Sequence, residues 1–357
     1  MSVSQGFFII HLGGSTAPGR ADRTATMCAM KILVTGGAGF IGSEYVRALL
    51  SGRLPSAGSG DSVTVYDKLT YSGNPANLDP VRAHPGFAFV QGDINDAALL
   101  DEVLPGHDAI VHFAAESHVD RSILGAADFV TTNVLGTQTL LDAARRHRIG
   151  RFVHVSTDEV YGSIDEGSWT EQWPVNPNSP YSAAKAGSDL LVLAAHRTHG
   201  MDTVVTRCSN NYGHYHFPEK VIPLFITNLM DGEHVPLYGD GGNIRDWLHV
   251  SDHVRGIHLA LTKGRAGEVY NIGGGTEVTN KELTGLLLDA TGRDWSFVDH
   301  VEDRKGHDRR YSLDITKIST ELGYAPQVSF ADGLAATVEW YGENRAWWEP
   351  LKGKAAL

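Results

Sequence analysis

The sequence predicts an α/β protein in which a doubly wound parallel sheet is joined to a smaller, mainly C-terminal α/β region. Short β-branched runs alternate with longer stretches of helical periodicity. The short runs are apolar throughout, which is typical of parallel strands that are covered on both faces. A glycine-rich turn follows the first run directly, as it does where a strand passes into a helix in such sheets.

The predicted strands come one after another along the first part of the chain. They are residues 32–34, 63–66, 87–90, 109–112, 152–155 and 203–206. A helical pattern follows the first of them as far as about Leu50, and a stretch at 51–62 rich in Gly and Ser predicts a surface loop. After about Cys208 the regular alternation of strand-like and helix-like runs stops. We therefore expect one domain at residues 30–207, with later returns of the chain to it, and a second domain mainly at 208–357.

Composition excludes several classes of protein. The 357 residues carry a formal net charge of -12 and show no basic stripe, so nucleic acid is not an expected partner. No apolar run reaches the roughly 18–20 residues that span a bilayer. Cys28 and Cys208 cannot form a disulfide framework and indicate a reducing, cytoplasmic setting. Residues 1–29, rich in Gly, Ser, Thr and Ala, predict a disordered extension, with Met27 or Met30 as an alternative start.

The glycine-rich turn at residues 36–42 (GGAGFIG) predicts a Rossmann-type dinucleotide site. Glycine suits this turn because it is tight, the backbone must approach a pyrophosphate, and the helix that follows offers free N–H groups. Asp67 closes the second strand, where a carboxylate can accept a hydrogen bond from the adenosine ribose. Asp67 favours NAD over NADP, although Lys68 follows it. An ordinary glycine-rich turn is the alternative.

Tyr181 and Lys185 form the next pair of residues that indicates a catalytic function. Ser179 and Pro180 predict a helix start, with a capping side chain and a proline at the first position. Tyr181 and Lys185 then share one helix face. A neighbouring ammonium favours the phenolate, which makes a tyrosine a usable base toward an alcohol. Alone, such a pair is typical of a surface helix, but after a dinucleotide-binding turn it indicates the short-chain dehydrogenase class.

Thr157, Asp158 and Glu159 follow a predicted strand directly. Ligands of open α/β sheets bind beyond the carboxyl ends of the strands, so these side chains should face the cleft. Two adjacent carboxyl groups can divide acid and base roles when their surroundings separate their pKa values. A solvated acidic loop is the alternative.

Eight motifs carry a resemblance to a known family. They are TGGAGFIGS at 35–43, FAAESHVDRS at 113–122, STDEVYG at 156–162, YSAAK at 181–185, NNYG at 210–213, FPEKVIP at 217–223, RDWLHVSDH at 245–253 and GHDRRY at 306–311. From Lys31 to about Asn344 the chain resembles the dTDP-glucose 4,6-dehydratases among the extended short-chain dehydrogenases. Related epimerases and decarboxylases normally lack the Asp-Glu pair after the threonine. The chain departs from the pattern at His214 and Lys305, where the family commonly has proline.

The resemblance implies an oxidation, an elimination and a reduction on one bound sugar. dTDP-glucose would become dTDP-4-keto-6-deoxyglucose and water, with NAD as the cofactor, for deoxysugar biosynthesis. Tyr181 would deprotonate the C4 hydroxyl while hydride passes to NAD, and Lys185 would hold the nicotinamide ribose and support the phenolate. Glu159 would remove the C5 proton, and Asp158 would protonate the departing C6 hydroxyl before hydride returns to C6. Thr157 would donate a hydrogen bond near the C4 oxygen.

The resemblance also implies two sets of binding residues. The expected NAD site, which includes the turn and the strand end described above, comprises Gly36, Gly39, Phe40, Ile41, Gly42, Asp67, Lys68, Asp93, Ile94, Ala114, Ala115, Thr132, Tyr181, Lys185 and Asn211. The expected sugar-nucleotide site comprises Ser117, Thr157, Asn210, Lys220, Val221, Pro236, Tyr238, Arg245, Asn280 and the stretch 303–307, in which Arg304 and His307 are the principal contacts. Arg245 suits a diphosphate because its planar fork can bind phosphate oxygens bidentately.

A homodimer is the expected assembly, because related enzymes pair two helices across an interface. Residues 123–141 and the helix after Tyr181 carry apolar side chains that we expect to face outward, namely Phe129, Val134, Leu140, Leu190, Leu191 and Leu193. No metal site is predicted, since the spaced histidines (His214, His216, His249 and His253) come without a recognisable ligand set.

Two alternatives stay open at this point. A 4-epimerase or a uridine-linked decarboxylase would share the fold, but the acidic pair Asp158-Glu159 argues against both. A non-catalytic NAD-binding regulator would not need that pair together with Tyr181 and Lys185. The preference for thymine over uracil rests on the resemblance alone.

Overall fold

The computed structural model describes residues 29–55, 57 and 60–355. The expectation of a disordered extension at residues 1–29 therefore lies outside the described residues, apart from its last position. The strands are β1 (Lys31–Thr35), β2 (Ser62–Asp67), β3 (Phe87–Gln91), β4 (Ala109–His112), β5 (Arg151–Thr157), β6 (Thr203–Cys208), β7 (Asn210–Tyr212), β8 (Val235–Tyr238), β9 (Ile244–His249), β10 (Val269–Ile272), β11 (Glu277–Thr279) and β12 (Val298–Val301).

Twelve α-helices lie between and after these strands in the described part of the chain. They are α1 (Phe40–Leu50), α2 (Ala97–Val103), α3 (Val119–Leu124), α4 (Ala127–Phe129), α5 (Thr137–Arg146), α6 (Pro180–His199), α7 (Val221–Asp231), α8 (Val250–Lys263), α9 (Asn280–Thr291), α10 (Thr316–Leu322), α11 (Phe330–Glu343) and α12 (Arg345–Ala355). Short 3₁₀ helices lie at Pro75–Val81, Asp158–Tyr161 and Trp295–Phe297, and a π-helix at Val130–Gly136 connects α4 to α5.

The central layer is a seven-stranded sheet in the order β3-β2-β1-β4-β5-β6-β10, and every neighbouring pair is parallel. The predicted doubly wound parallel sheet is confirmed, and all six predicted runs are strands of it. On β1, Ile32 and Val34 belong to one buried cluster, while Leu33 belongs to the cluster on the opposite face. Both faces are therefore covered, which explains why the runs lack polar alternation.

The seventh strand, β10, was not predicted. It lies beyond the point where the strand–helix rhythm breaks, and it contains a polar residue, Asn271, that is fully buried. The Asn271 side chain accepts a hydrogen bond from Tyr161 and donates one to the carbonyl of Trp169. A buried strand can carry such a residue because its polar atoms are paired, but this pairing leaves no trace in the local sequence.

The smaller region packs against the carboxyl edge of the sheet. It contains a three-stranded sheet, β11-β9-β7, and a parallel pair, β12-β8. Residues of α7, α9 and α11 form its hydrophobic core, in which Ile226, Leu283 and Tyr341 are fully buried. Among the described residues, no helix is both long and apolar enough to cross a membrane.

Candidate active site

A cavity of about 500 Å³ lies at the carboxyl edge of the parallel sheet, with walls from both regions. The residues that the sequence predicted for the cofactor, the sugar nucleotide or catalysis line this cavity, except Asp303, Lys305 and Gly306 of the stretch 303–307. These residues come from separate segments between Gly36 and His307. The fold therefore brings together side chains that lie far apart in the sequence.

The glycine turn is shaped to admit a ligand close to its backbone. Gly36 has a φ of +69°, and a Cβ there would lie 2.6 Å from the backbone nitrogen of Ala114. A Cβ on Gly42 would overlap the carbonyl oxygen of Gly36. Gly39 is the N-cap residue of α1 and provides no side-chain cap, so the first N–H groups of the helix stay available to an anion. These features fit the pyrophosphate of a dinucleotide.

Asp67 ends β2, as predicted, and its carboxylate holds the turn together. One carboxylate oxygen accepts a hydrogen bond from the backbone N–H of Ala38 at 2.9 Å, and the other accepts one from Leu69 at 2.8 Å. Burial raises the pKa of Asp67, and these two backbone donors oppose that rise. The adjacent Lys68 pairs with Asp93, with 2.7 Å between the ammonium and the carboxylate.

Helix α6 begins where the sequence predicted. The Ser179 side chain accepts a hydrogen bond from the backbone N–H of Ser182, and Pro180 is the first helical residue. Tyr181 and Lys185 are both buried, and the Lys185 Nζ donates to the carbonyl of Val155 at 2.7 Å. The end of β5 and the start of α6 thus place the phenol of Tyr181 and the ammonium of Lys185 in one part of the cavity, where both are buried.

Burial, rather than Lys185, is the main influence on the pKa of Tyr181. Burial raises the pKa of Tyr181 well above its usual value, and the nearby Glu159 raises it further. Lys185 is not among the main influences on Tyr181, and burial lowers the pKa of Lys185 itself to about 8. The prediction considered the attraction between the two groups but not the larger effect of removing both from water.

Asp158 and Glu159 lie in the 3₁₀ turn that follows β5. The Thr157 hydroxyl caps this turn by accepting a hydrogen bond from the backbone N–H of Glu159 at 3.2 Å. The pKa of Asp158 is raised well above its usual value by burial, then by Glu159 and Asp246. The alternative of a solvated acidic loop is wrong, because Asp158 is only 2% exposed.

The two carboxyl groups differ in the charges that face them. Burial also raises the pKa of Glu159, but three cations oppose that rise, namely Arg304, Lys220 and Arg245. Among the main influences on Asp158, only Arg245 is a cation, and two carboxylates work against it. These surroundings favour a protonated Asp158 beside an ionisable Glu159, which is the separation that an acid and a base require.

The other wall is built by the smaller region. It presents Val221 at the start of α7, Pro236 and Tyr238 on β8, Arg245 on β9, Asn280 at the start of α9, and Arg304 and His307 in the loop after β12. Arg245 already donates to the carbonyls of Ile244 and Asp308. The Lys220 Nζ donates to the Ser117 carbonyl at 2.8 Å. Among the described residues, the buried side-chain oxygen of Asn210 has no partner.

Several cavity residues were missed by the sequence analysis. His118, Cys208, His216, Glu219 and Tyr311 line the cavity with the predicted set. All except Cys208 and His216 lie inside the quoted motifs, so the motifs were the available signal. The His216 ring stacks on Phe40 with 4.1 Å between centroids, which joins the smaller region to the glycine turn. Of the two departures from the family pattern, His214 stacks on Trp340.

The parallel sheet, the glycine turn and the buried Tyr–Lys pair define a short-chain dehydrogenase fold with a dinucleotide site. A family model described as GDP-mannose 4,6 dehydratase matches residues 33–337. A dTDP-glucose 4,6-dehydratase of Streptomyces niveus is 68% identical over 323 residues, covering 90% of this chain and 96% of the relative. The chain therefore belongs to the dTDP-glucose 4,6-dehydratase family.

Solved structures agree with this assignment. DesIV, a dTDP-glucose 4,6-dehydratase from Streptomyces venezuelae solved with NAD bound, is 67% identical and has a TM-score of 0.89, covering 90% of this chain and 100% of that chain. A UDP-glucose 4-epimerase of Thermotoga maritima shares the fold at a TM-score of 0.81 but is only 34% identical, covering 88% of this chain and all of its own.

Replacing Gly42 by alanine should weaken NAD binding by about tenfold or more, because a hydrogen bond to a charged group contributes about 1.5–3 kcal/mol and each 1.4 kcal/mol is about tenfold in affinity. The added Cβ overlaps the Gly36 carbonyl and must displace the turn. Isothermal titration of cofactor-stripped protein measures the change. Gly125→Ala is the control, because no atom lies within 4 Å of its new Cβ. Equal NAD affinity in both variants would contradict a phosphate role for the turn.

Proposed function

We propose that the protein converts dTDP-glucose into dTDP-4-keto-6-deoxyglucose and water, with NAD as its cofactor, for deoxysugar biosynthesis. The observation that carries this proposal is the acidic pair of buried Asp158 and half-buried Glu159, which lines the same cavity as Tyr181 and Lys185. A dehydratase needs an acid and a base in addition to the dehydrogenase pair. A 4-epimerase, the nearest alternative, needs only the dehydrogenase pair of Tyr181 and Lys185.

Bound NAD would supply the acceptor for the electron pair leaving C4 and return that pair at C6. The turn at residues 36–42 would hold the pyrophosphate of NAD. Asp67 would bind the adenosine ribose, because its carboxylate oxygens have further lone pairs that can accept hydrogen bonds. Asp93 and Ile94 would line the adenine side, and Thr132 and Asn211 the rest of the pocket. Lys185 would bind the nicotinamide ribose.

Tyr181 would take the proton of the C4 hydroxyl. Burial and Glu159 oppose the phenolate form, while Thr157 favours it. Tyr181 therefore needs a cation when it acts, and Lys185 is the cation on the same helix face. Thr157 would hold the C4 oxygen beside the phenol.

Glu159 would remove the C5 proton once a carbonyl at C4 has made that proton acidic, and would return a proton to C5 when hydride reaches C6. Asp158, kept protonated by its surroundings, would deliver a proton to the C6 oxygen so that it leaves as water. Arg245, Lys220 and Arg304 would bind the diphosphate, and their charges would also keep Glu159 ionisable. The remaining predicted contacts, from Ser117, Asn210, Val221, Pro236, Tyr238, Asn280 and His307, would bind the sugar and the nucleoside.

The two expected domains would bind different ligands. Residues 30–207 would bind NAD, and 208–357 would mainly bind the sugar nucleotide. Helix α8 and strand β10 return to the parallel sheet, and β10 is its edge strand beside β6. A cytoplasmic location fits the free, buried Cys208.

The three catalytic side chains should give three different phenotypes. Glu159→Gln should allow oxidation at C4 but block elimination, so reduced nicotinamide absorbance builds up while product formation falls by about 10²–10⁴. Asp158→Asn should slow water loss more mildly, because an amide can still donate a hydrogen bond. Tyr181→Phe should give neither product nor reduced nicotinamide. Near-normal dehydratase turnover by Glu159→Gln would refute the assignment of the base.

We further propose that two copies pair through the apolar face of α3, the π-helix and α6. Leu124 is 80% exposed, Leu135 55% and Leu190 53%, and Val130 is also exposed. The outward orientation expected for Phe129 and Leu140 is wrong, since both are buried within the chain. Val134, Leu191 and Leu193 are half-buried. Large exposed apolar side chains concentrated on one face are typical of an interface.

Light scattering at micromolar concentration should therefore give the mass of a dimer. Replacing both Leu135 and Leu190 by glutamate should shift that mass to a monomer, because the charges would be buried unpaired. Trp173→Glu is the control, since Trp173 is similarly exposed at 48% but lies outside this face. A monomeric parent protein would exclude the proposal.

A further inference from the structure

The back of the glycine turn is held by hydrogen bonds at Ala38. This residue is fully buried and, unlike Phe40 in the same turn, does not line the cavity. Its backbone N–H donates to Asp67, as described above. Its carbonyl accepts two hydrogen bonds, one from the side-chain amide of Asn77 at 2.9 Å and one from the backbone N–H of Asn74 at 3.0 Å. The shape that the turn presents to the cavity therefore depends on groups that lie behind it.

Asn77 connects the turn to the C-terminal helix. It belongs to the 3₁₀ helix Pro75–Val81 and is only 2% exposed. Its side-chain oxygen accepts a hydrogen bond from the indole N–H of Trp347 on α12 at 3.0 Å. An indole nitrogen can only donate and a backbone carbonyl can only accept, so the two partners fix which end of the amide faces which. The Asn77 amide thus lies between Trp347 and the Ala38 carbonyl, and both of its ends are bonded.

Arg47 and Tyr215 enclose the same amide. The buried Arg47 side chain, on α1, donates to the backbone carbonyl of Asn77 at 2.6 Å. Its guanidinium lies over the ring of Tyr215, 4.2 Å from the centroid. Tyr215 packs edge-on against Trp347 with 5.5 Å between ring centroids, and its φ of +66° is one that a residue other than glycine keeps only where its surroundings impose it. This packing orients the Trp347 ring toward Asn77.

The smaller region also contacts the front of the turn. The His216 ring stacks on Phe40, which lines the cavity, and the Tyr341 hydroxyl of α11 donates to the His216 carbonyl. The turn is therefore contacted by the smaller region from two sides, through Phe40 and through Asn77. The region that would mainly bind the sugar nucleotide thus supports the cofactor site as well.

We propose that Trp347 is a positioning residue of the cofactor site, which acts through Asn77 to hold the glycine turn in the shape that binds NAD. The inference rests on the proposed role of this turn in binding the pyrophosphate of NAD. Neither Trp347 nor Asn77 lines the cavity, so neither is placed to touch the ligand. Without the indole N–H, the buried Asn77 oxygen would lose its donor, the amide would be less well fixed, and the turn would open more readily.

The neighbouring tryptophan provides a matched control. Trp348 follows Trp347 on α12, is fully buried, and donates its indole N–H to the carbonyl of Tyr341 at 2.8 Å. Trp347→Phe and Trp348→Phe each keep an aromatic ring and remove one indole hydrogen bond. Only the bond of Trp347 leads to the turn. The comparison therefore separates a general loss of stability in α12 from a loosened cofactor site.

The first test is the exchange of bound NAD for isotopically labelled NAD in the holoenzyme, followed by mass spectrometry. Trp347→Phe should speed this exchange about three- to tenfold, which is the worth of one hydrogen bond. Trp348→Phe should exchange NAD at the parent rate. The Kd of dTDP, from isothermal titration of the same holoenzymes, should stay at the parent value in both variants. Exchange at the parent rate in Trp347→Phe, equal acceleration in both variants, or an equal weakening of NAD and dTDP binding would overturn the proposal.

The second test asks whether Trp347 acts through Asn77. Asn77→Ala removes both side-chain hydrogen bonds of the amide, so NAD exchange should become about tenfold faster or more. Adding Trp347→Phe to Asn77→Ala should change the rate little further, because the indole then has no amide to hold. Effects that simply multiply in the double variant would show that Trp347 acts by another route and would overturn the proposal.

Circular dichroism checks that each variant is folded. If Asn77→Ala does not fold, the comparison of Trp347→Phe with Trp348→Phe decides alone. Failure of Trp347→Phe to fold would assign its hydrogen bond to folding and overturn the proposal. Faster NAD exchange in Trp347→Phe, in a protein that makes no 4-keto-6-deoxy product, would instead refute the proposed function and leave the role of Trp347 standing.

Discussion

Removal of ionisable groups from water at the carboxyl edge of the parallel sheet is the constraint on which the rest of this structure depends. Strand β5 and helix α6 bring Asp158, Tyr181 and Lys185 to one place where each is buried. In such surroundings each group favours its neutral form, so catalysis requires neighbouring charges that restore selected ions. The positions of those charges decide which group is an acid and which is a base.

The smaller region contributes part of this electrostatic arrangement. Arg245 and Lys220, which face the cavity from β9 and the start of α7, counter the burial of Glu159. Asp246, the neighbour of Arg245 on β9, acts in the opposite sense on Asp158. One short strand thus carries charges of both signs that separate two adjacent carboxyl groups. The cavity is complete only when the second region is packed against the sheet.

Local signals allowed much of the fold and site to be predicted. Apolar runs identified six strands, and Ser179-Pro180 identified the start of α6, because both depend on residues close in sequence. The motifs contain many of the residues that line the cavity, whereas Cys208 and His216 line it from outside them. Three features were not predicted because they depend on contacts between distant segments. They are strand β10, the burial of Phe129 and Leu140, and the pairing of Asp189 with Arg207. The raised pKa of Tyr181 was missed for the same reason, since burial is a property of the whole fold.

The central claim is that this cavity oxidises, dehydrates and reduces one sugar without releasing it. Turnover of dTDP-glucose carrying deuterium at C4 tests it most directly, with the position of the label read by mass spectrometry and NMR. The account predicts that deuterium appears at C6 of the 4-keto-6-deoxy product and that, in a mixture of labelled and unlabelled substrate, it stays within the molecule that carried it. Loss of the label to solvent, or its transfer between molecules, would contradict the account.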